Sequence, residues 1–353
     1  MRDTRFLLGF VGLLVGIGWL VSHWAGGGSP ATEVYSLTGP AQGSTYHVSY
    51  WHATPVDQAA LEQAITAELA RIDLVMSNYR ADSVIEQFNQ TTSTQAQDVG
   101  DELVALVEQA RQITSASQGC YDLTIKPLFD LWGFKADKFH RPTADELTTT
   151  LQSVGMAKLA KVDSSHLQKQ VPTLRFDVSS IAQGYTVDKL ADILRQYGIH
   201  NFLVEVGGEM VVEGQKPADK PWRVAIDKPL PGEQKLQKII EIHQTKPISV
   251  VTSGTYRHYF DEQGQRFSHV LNPKTGQPVQ HHTVSTTVIM DNGTLGDGWS
   301  TAFLCLGSEA GLVVADQLAI PVLFIDQVGD QLIERPSKAL TSHSGIQLQA
   351  IPD

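Results

Sequence analysis

The chain of 353 residues is poor in cysteine, with only Cys120 and Cys305. Two cysteines cannot build the cross-linked scaffold of a small secreted domain or a four-cysteine zinc centre, and neither stands at metal-ligand spacing. Basic residues are also scarce: 27 Lys and Arg against 38 Asp and Glu leave a formal net charge of -11. No run of Lys or Arg offsets that balance, so a nucleic-acid backbone would be repelled. The chain has no internal repeat and no low-complexity tract, which removes solenoids and long disordered arms. Long apolar runs are missing too, apart from Phe6 to Val21, which follows Arg2 and Arg5 and precedes the small residues Ala25 to Ser29. That pattern is an export signal, either cleaved or kept as an anchor, with the anchor preferred, and it assigns residues 1–28 to signal or anchor and linker. The positive flank precedes the run, so the remainder is expected outside the cytoplasm. No Cys follows the run, which excludes the usual bacterial lipid anchor.

What is present is the composition of a folded protein, with 42% hydrophobic and 18% charged residues. Leu61, Ile65, Leu69 and Ile72 fall on one face of a helix expected over Asp57 to Val75, and a second helix is expected from Asp101 to Thr114. Ser180 to Tyr197 repeats the pattern with Ile181, Tyr185, Leu190 and Leu194. Short β-branched runs read as strands at Thr45 to Tyr50, Phe202 to Val206, Trp222 to Ile226, Ile248 to Thr252, Ser285 to Met290 and Val322 to Asp326. Helices lead the first half and strands dominate the second, which predicts an α+β fold, and residues 29–353 read as one domain. Cys120 and Cys305 have apolar neighbours, so the preferred reading is two small buried hydrophobes, although an oxidising compartment would let them pair.

Several segments carry chemistry-bearing residues. Gly296-Asp297-Gly298-Trp299-Ser300-Thr301 reads as a helix start that sets Asp297 and Thr301 four residues apart on one face, opposite Trp299, Ala302, Phe303 and Leu306. A carboxylate and a hydroxyl so placed offer two hard oxygens to Mg²⁺. On spacing alone the pair reads first as an N-cap and a surface residue. Asp177-Val178-Ser179-Ser180 runs from a strand into a helix, with the serines as natural caps whose N–H groups can face phosphate. Val206-Gly207-Gly208 ends a strand in a double glycine that permits a bulge or a close ligand. His269, ahead of Asn272-Pro273, is a loop-borne candidate base. Tyr121, Trp132 and Phe134, like Tyr79, suit a flat heterocycle or a core equally well.

From about Ala41 to Gly307 the order of these segments resembles one family, the FAD:protein FMN transferases, also called ApbE. The resemblance rests on Gly43-Ser44-Thr45-Tyr46, Tyr79 with Phe88-Asn89, Tyr121-Asp122-Leu123-Thr124 with Trp132-Gly133-Phe134, Asp177 to Tyr185, His269 to Gly276, and Asp297 to Thr301. It implies one large domain with the flavin site between two lobes. It also implies a reaction in which FAD is split, AMP leaves and FMN becomes linked to a Thr or Ser hydroxyl of a protein. Mg²⁺ would be held by Asp297, Thr301 and the Ser180 carbonyl. Tyr79 would stack on the flavin ring, Gln42, Cys120, Tyr121 and Asp122 would line the dinucleotide, and Asp177, Gln183 and Leu271 would complete its site. His269 would be the base. A cation would also answer the protein's own negative charge beside a pyrophosphate. The implied acceptors are exported flavoprotein subunits of respiratory complexes, sodium-pumping or Rnf-type, or of nitrous-oxide reduction. The implied location is the inner membrane facing the periplasm, or the periplasm itself. Gln183 and Asn272 depart from the family's frequent Lys and Asp, and Glu205 from its frequent Asn. The competing readings are an FAD pyrophosphatase that uses water in place of the protein hydroxyl, and a non-catalytic flavin-binding envelope protein.

Overall fold

The structure, a computed structural model, describes residues 33–351 except 135–137, 231–234, 257–258 and 263–264; the expected signal or anchor lies outside them. Strands β1 (Tyr35–Ala41) and β2 (Ser44–Tyr50) form a hairpin closed by Gln42-Gly43, both at positive φ, as a two-residue turn with that strand twist requires. Helix α1 (Gln58–Met76) is capped by Asp57 and buries the expected stripe of Leu61, Ile65, Leu69 and Ile72. After α2 (Val84–Gln90) and the short β3 (Gln97–Asp98), α3 (Gly100–Ala116) leads to α4 (Lys126–Trp132) and α5 (Ala144–Leu151). Strands β4 (Leu159–Lys161) and β5 (His166–Lys169) complete a small sheet with β3. Helix α6 (Ser179–Gln196) then feeds the second half of the chain, as the apolar stripe predicts.

That half supplies β6 (Phe202–Val206), β7 (Glu209–Glu213), β8 (Trp222–Asp227), β9 (Leu236–Ile242), β10 (Ile248–Gly254), β11 (Tyr259–Glu262), β12 (Gln265–Ser268) and β13 (Thr283–Met290). After α7 (Gly293–Leu318) come β14 (Val322–Val328), β15 (Gln331–Pro336), α8 (Lys338–Thr341) and β16 (Ile346–Ala350). The main sheet is antiparallel with order β1-β2-β6-β7-β10-β13-β14-β15, and β16-β9-β8 form a second sheet. Alternation along β10 shows the layering. Val251 meets α7 at Gly296, while Val250 joins Trp222, Val224 and Ile240 of the second sheet. Helices α6 and α7 thus cover one face of the main sheet, and the second sheet covers the other. Helix α7 is long and apolar enough to cross a membrane, but it is mostly buried and serves as the core helix.

The described residues pack as one compact unit rather than two separate lobes. Within it, a smaller aromatic core of Trp132, Phe134 and Phe267 with Leu128 and Leu147 stands apart from the helix and sheet cores. These aromatics are therefore core residues. A cavity lies where the two kinds of core meet.

Candidate active site

Helix α7 begins one turn earlier than its glycines suggest. Asn292 is its N-cap, accepting from the Leu295 N–H at 2.8 Å, so Asp297 lies inside the helix and is not a cap. Nor is Asp297 on a free face: it is buried because α6 packs there through Gly184, whose N–H donates to Asp297 Oδ2 at 2.9 Å. A Cβ on Gly184 would stand 2.2 Å from the Gly293 carbonyl, so only glycine permits this approach. Asp188, one turn further along α6, accepts from the N–H groups of Gly293 and Thr294 at 2.8 Å each and pins the start of α7. Burial pushes the Asp297 carboxyl up to about 7; the Gly184 and Gln183 amides oppose the rise and the Asp188 charge adds to it. Thr301, half-buried, approaches Ser253 Oγ at the end of β10 at 3.3 Å.

The opposite wall follows α3. Cys120 and Cys305 are joined in a disulfide that ties the loop after α3 to α7 across 185 residues. The expected burial of both holds, but two thiols brought together by folding are partners rather than separate hydrophobes. Next to it, Tyr121 is buried; its hydroxyl donates to the Ser180 carbonyl at 3.4 Å and accepts from Ser180 Oγ at 3.0 Å, and burial raises its pKa. Gly298 makes room on α7 for this ring and for Ile113. Asp122 caps the following turn: Oδ1 accepts from the Thr124 N–H at 2.7 Å and Oδ2 from the Met156 N–H at 3.0 Å, and burial pushes its carboxyl up. Its carboxylate is thus committed to the loops that form the wall.

Asp177 reaches the cavity from the segment ahead of α6. Ser179 and Ser180 are the first residues of that helix rather than its caps; Asp177 Oδ1 instead accepts from the Ser179 N–H at 2.8 Å. The segment is held by Asn89, which accepts from the Phe176 N–H at 2.8 Å and donates to the Phe176 carbonyl at 2.8 Å, pairing as a strand neighbour would. On the far side, His269 follows β12 at a bend, and Leu271 begins a tight loop in which the Gly276 N–H donates to the Asn272 carbonyl. Trp132 Nε1 anchors that loop by donating to the Gly276 carbonyl at 2.7 Å.

Asp177, Ser180, Gln183, His269, Asp297 and Thr301 line one cavity of about 310 Å³, together with Cys120, Tyr121, Asp122 and Leu271. Gln42 and Tyr79 do not reach it. They line a neighbouring cavity of about 1160 Å³ that shares Ser179 and Gln183 with the first. There Tyr79 is 85% exposed, its ring open to a flat ligand, and Gln42 donates to Thr186 Oγ1 at 2.7 Å while its buried Oε1 lacks a partner. An orphaned acceptor in a cavity wall fits a ligand that donates a hydrogen bond. Gln183 packs against Gly207, whose Cβ would come within 2.2 Å of its Nε2, and its side chain lines both cavities.

Among the described residues no cluster of three or more His, Cys, Asp or Glu side chains could hold a metal. Asp297, Thr301 and Ser180 line the same cavity, and a carboxylate, a hydroxyl and a main-chain carbonyl are hard oxygens of the kind that fit Mg²⁺ completed by phosphate and water. Sequence reasoning left Gly184 without a role and missed Asp188, which pins the start of α7, and, in the cavity wall, Ser253 and the buried Glu209. Gly184 and Asp188 stand four residues apart on α6, a spacing that could have marked one face, but nothing local says that α7 lies against it.

The fold, an antiparallel sheet with α6 and α7 on one face, matches solved flavin transferase structures. The Pseudomonas stutzeri flavinyl transferase ApbE, apo form, has a TM-score of 0.81 and 36% identity, covering 89% of this chain and 98% of that one. The profile described as the ApbE family matches residues 42–324, and the chain belongs to that family. A Vibrio cholerae relative named FAD:protein FMN transferase is 36% identical over 318 residues, 89% of this chain and 94% of its own. A Klebsiella pneumoniae relative of the same name is 35% identical over 307 residues, covering 86% and 87%.

Proposed function

We propose that this chain transfers FMN from FAD to a Thr or Ser hydroxyl of an acceptor protein, releasing AMP, with Mg²⁺ held by Asp297, Thr301 and the Ser180 carbonyl. The observation that carries the reading is the buried Asp297 carboxylate, raised to about 7, facing the same cavity as His269 and Tyr121. When bound, Mg²⁺ supplies neutralising charge to the pyrophosphate. The protein's part is positioning. Tyr79 and Gln42 take the flavin end in the larger cavity, Gln183 and Asp177 guide the chain between cavities, and Leu271 covers the dinucleotide. His269 accepts the proton of the acceptor hydroxyl as the new oxygen–phosphorus bond forms and the bond to the AMP phosphate breaks. Acceptors of respiratory-complex type are part of the proposal through the family resemblance, and so is a location in the inner membrane facing the periplasm, or in the periplasm after signal cleavage, which Arg2, Arg5 and the run Phe6 to Val21 support.

The reading is tested by incubating the protein with FAD, Mg²⁺ and a candidate flavoprotein subunit, then reading fluorescence on the subunit in a denaturing gel and free AMP. His269→Ala should slow labelling far more than FAD binding. Equal loss of both would make His269 structural, and no AMP from the unaltered protein would reject the reading.

A further inference from the structure

On the face of the main sheet away from α6 and α7, a groove of about 530 Å³ opens between that sheet and β8. Its floor is Leu203, Met210 and Val250, and its outer wall is β8 with Val224, Ala225 and Ile226. Strand β8 ends its sheet: β9 pairs with one side, and among the described residues no strand pairs with the other. Residues alternate strictly along it, with Trp222, Val224 and Ile226 buried and Arg223, Ala225 and Asp227 exposed. An unpaired strand edge is a template for another extended segment, bonded through its main chain.

The groove also touches the candidate active site. Gly207 and Thr252 line both the groove and the cavity that holds Asp297 and His269. Gly207 and Gly208 form the two-residue turn between β6 and β7, both at positive φ, and add no side chain of their own at the passage, where Gln183 packs against Gly207. Tyr256, at the same end of the groove, packs against Gly254 of the cavity wall. A dinucleotide approaching through the Gln42 and Tyr79 cavity joins the central one at Ser179 and Gln183, and the groove reaches the same cavity at Gly207 and Thr252. In-line displacement needs an approach for the nucleophile apart from the leaving group, and the groove offers one.

We propose that this groove is the acceptor's docking site: an extended segment of the acceptor protein adds to the outer edge of β8 and delivers its Ser or Thr hydroxyl past Gly207 to His269. This rests on the transferase reading. The probe is a library of random peptides, each with one fixed Thr, incubated with the full chain, FAD and Mg²⁺. FAD binding is read by flavin fluorescence, AMP by chromatography and transfer by fluorescence on peptide. The unaltered protein should label some peptides. Leu203→Trp, which enlarges a half-buried side chain on the groove floor, should bind FAD normally and label about tenfold less or lower still, a loss of ~1.4 kcal/mol in acceptor binding, while Leu203→Met should label normally. Undiminished labelling by Leu203→Trp overturns the proposal, as does an unaltered protein that releases AMP but labels no peptide. A dimer disrupted by Leu203→Trp with transfer intact would assign the edge to a second copy and overturn it too. No AMP release by the unaltered protein rejects the transferase reading, and the docking site with it.

Discussion

Asp297 is the residue on which the proposed metal site turns, and its burial changes which substitution is informative. Asp297→Ala would leave the Gly184 N–H without its acceptor inside the α6 and α7 interface, costing about 1–3 kcal/mol of stability. Asp297→Asn keeps an acceptor there and removes only the charge. We expect the Asn variant to fold with a thermal midpoint no lower than that of the unaltered protein, since it removes a charge that burial penalises, and to lose about 100-fold or more in Mg²⁺-dependent turnover, with Mg²⁺ binding by calorimetry as the check. A second buried charge acts at a distance. Lys169 is fully buried and donates to the Thr91 carbonyl at 2.6 Å and the Asn89 carbonyl at 3.3 Å, next to the residue that holds Phe176. Burial pushes its pKa down to about 8, with the Arg175 charge adding to the fall. Between that value and the unfolded one near 10.5 the unfolded chain binds more protons, so this group adds stability as pH rises and withholds it below pH 8. Thermal melts from pH 7 to 10 should therefore show the unaltered protein gaining on Lys169→Met by on the order of 1–3 kcal/mol. A constant difference between the two would show that Lys169 keeps an ordinary pKa.

At the scale of elements, the close pair of α6 and α7 carries the site, and Gly184 tests it. A methyl there would meet both the Gly293 carbonyl and the Asp297 Cβ, at 2.2 and 2.6 Å. Gly184→Ala should cost about 1–3 kcal/mol by overpacking and weaken Mg²⁺ binding with it, since the helix that carries Asp297 must move. A stable variant with normal Mg²⁺ affinity would disprove the close-packing argument. The disulfide joins α7, about two turns beyond Asp297, to the loop that bears Tyr121. Reduction, or the double change Cys120→Ser with Cys305→Ser, should lower stability by about 2–5 kcal/mol, read as a drop in thermal midpoint, and should loosen FAD binding more than a remote cross-link would. These elements were largely legible: the stripe of α1, the run Phe202–Val206 and the helix after Asp177 follow local periodicity. The start of α7 was not, because Asn292 caps it ahead of the glycines. Pairing Cys120 with Cys305 depends on chain brought together across 185 residues, which no local pattern encodes.

Over the whole molecule, the sheet order was the part that periodicity could not reach. Strand β2 pairs with β6, and β10 sits between β7 and β13, pairings set by long-range packing and not by any turn. The same distance separates the site's parts, since Tyr121, Ser180, His269 and Asp297 come from four regions and were grouped in the sequence only through family resemblance. Their convergence has a thermodynamic consequence. On the proposed reading, a protein of net charge -11 that offers Mg²⁺ one carboxylate, a hydroxyl and a carbonyl would hold the ion weakly by itself and would repel a pyrophosphate without it. Each ligand would then complete the other's site, and by linkage the factor by which Mg²⁺ tightens FAD must equal the factor by which FAD tightens Mg²⁺. We expect both factors to fall in the range of about 5–150-fold typical of coupled sites. Calorimetric titration of FAD with and without Mg²⁺, and of Mg²⁺ with and without FAD, measures them separately. In Asp297→Asn both should approach one, because the shared ligand is gone while the cavity that receives FAD remains. FAD binding that ignores Mg²⁺ in the unaltered protein would separate the metal from the dinucleotide and refute the shared site.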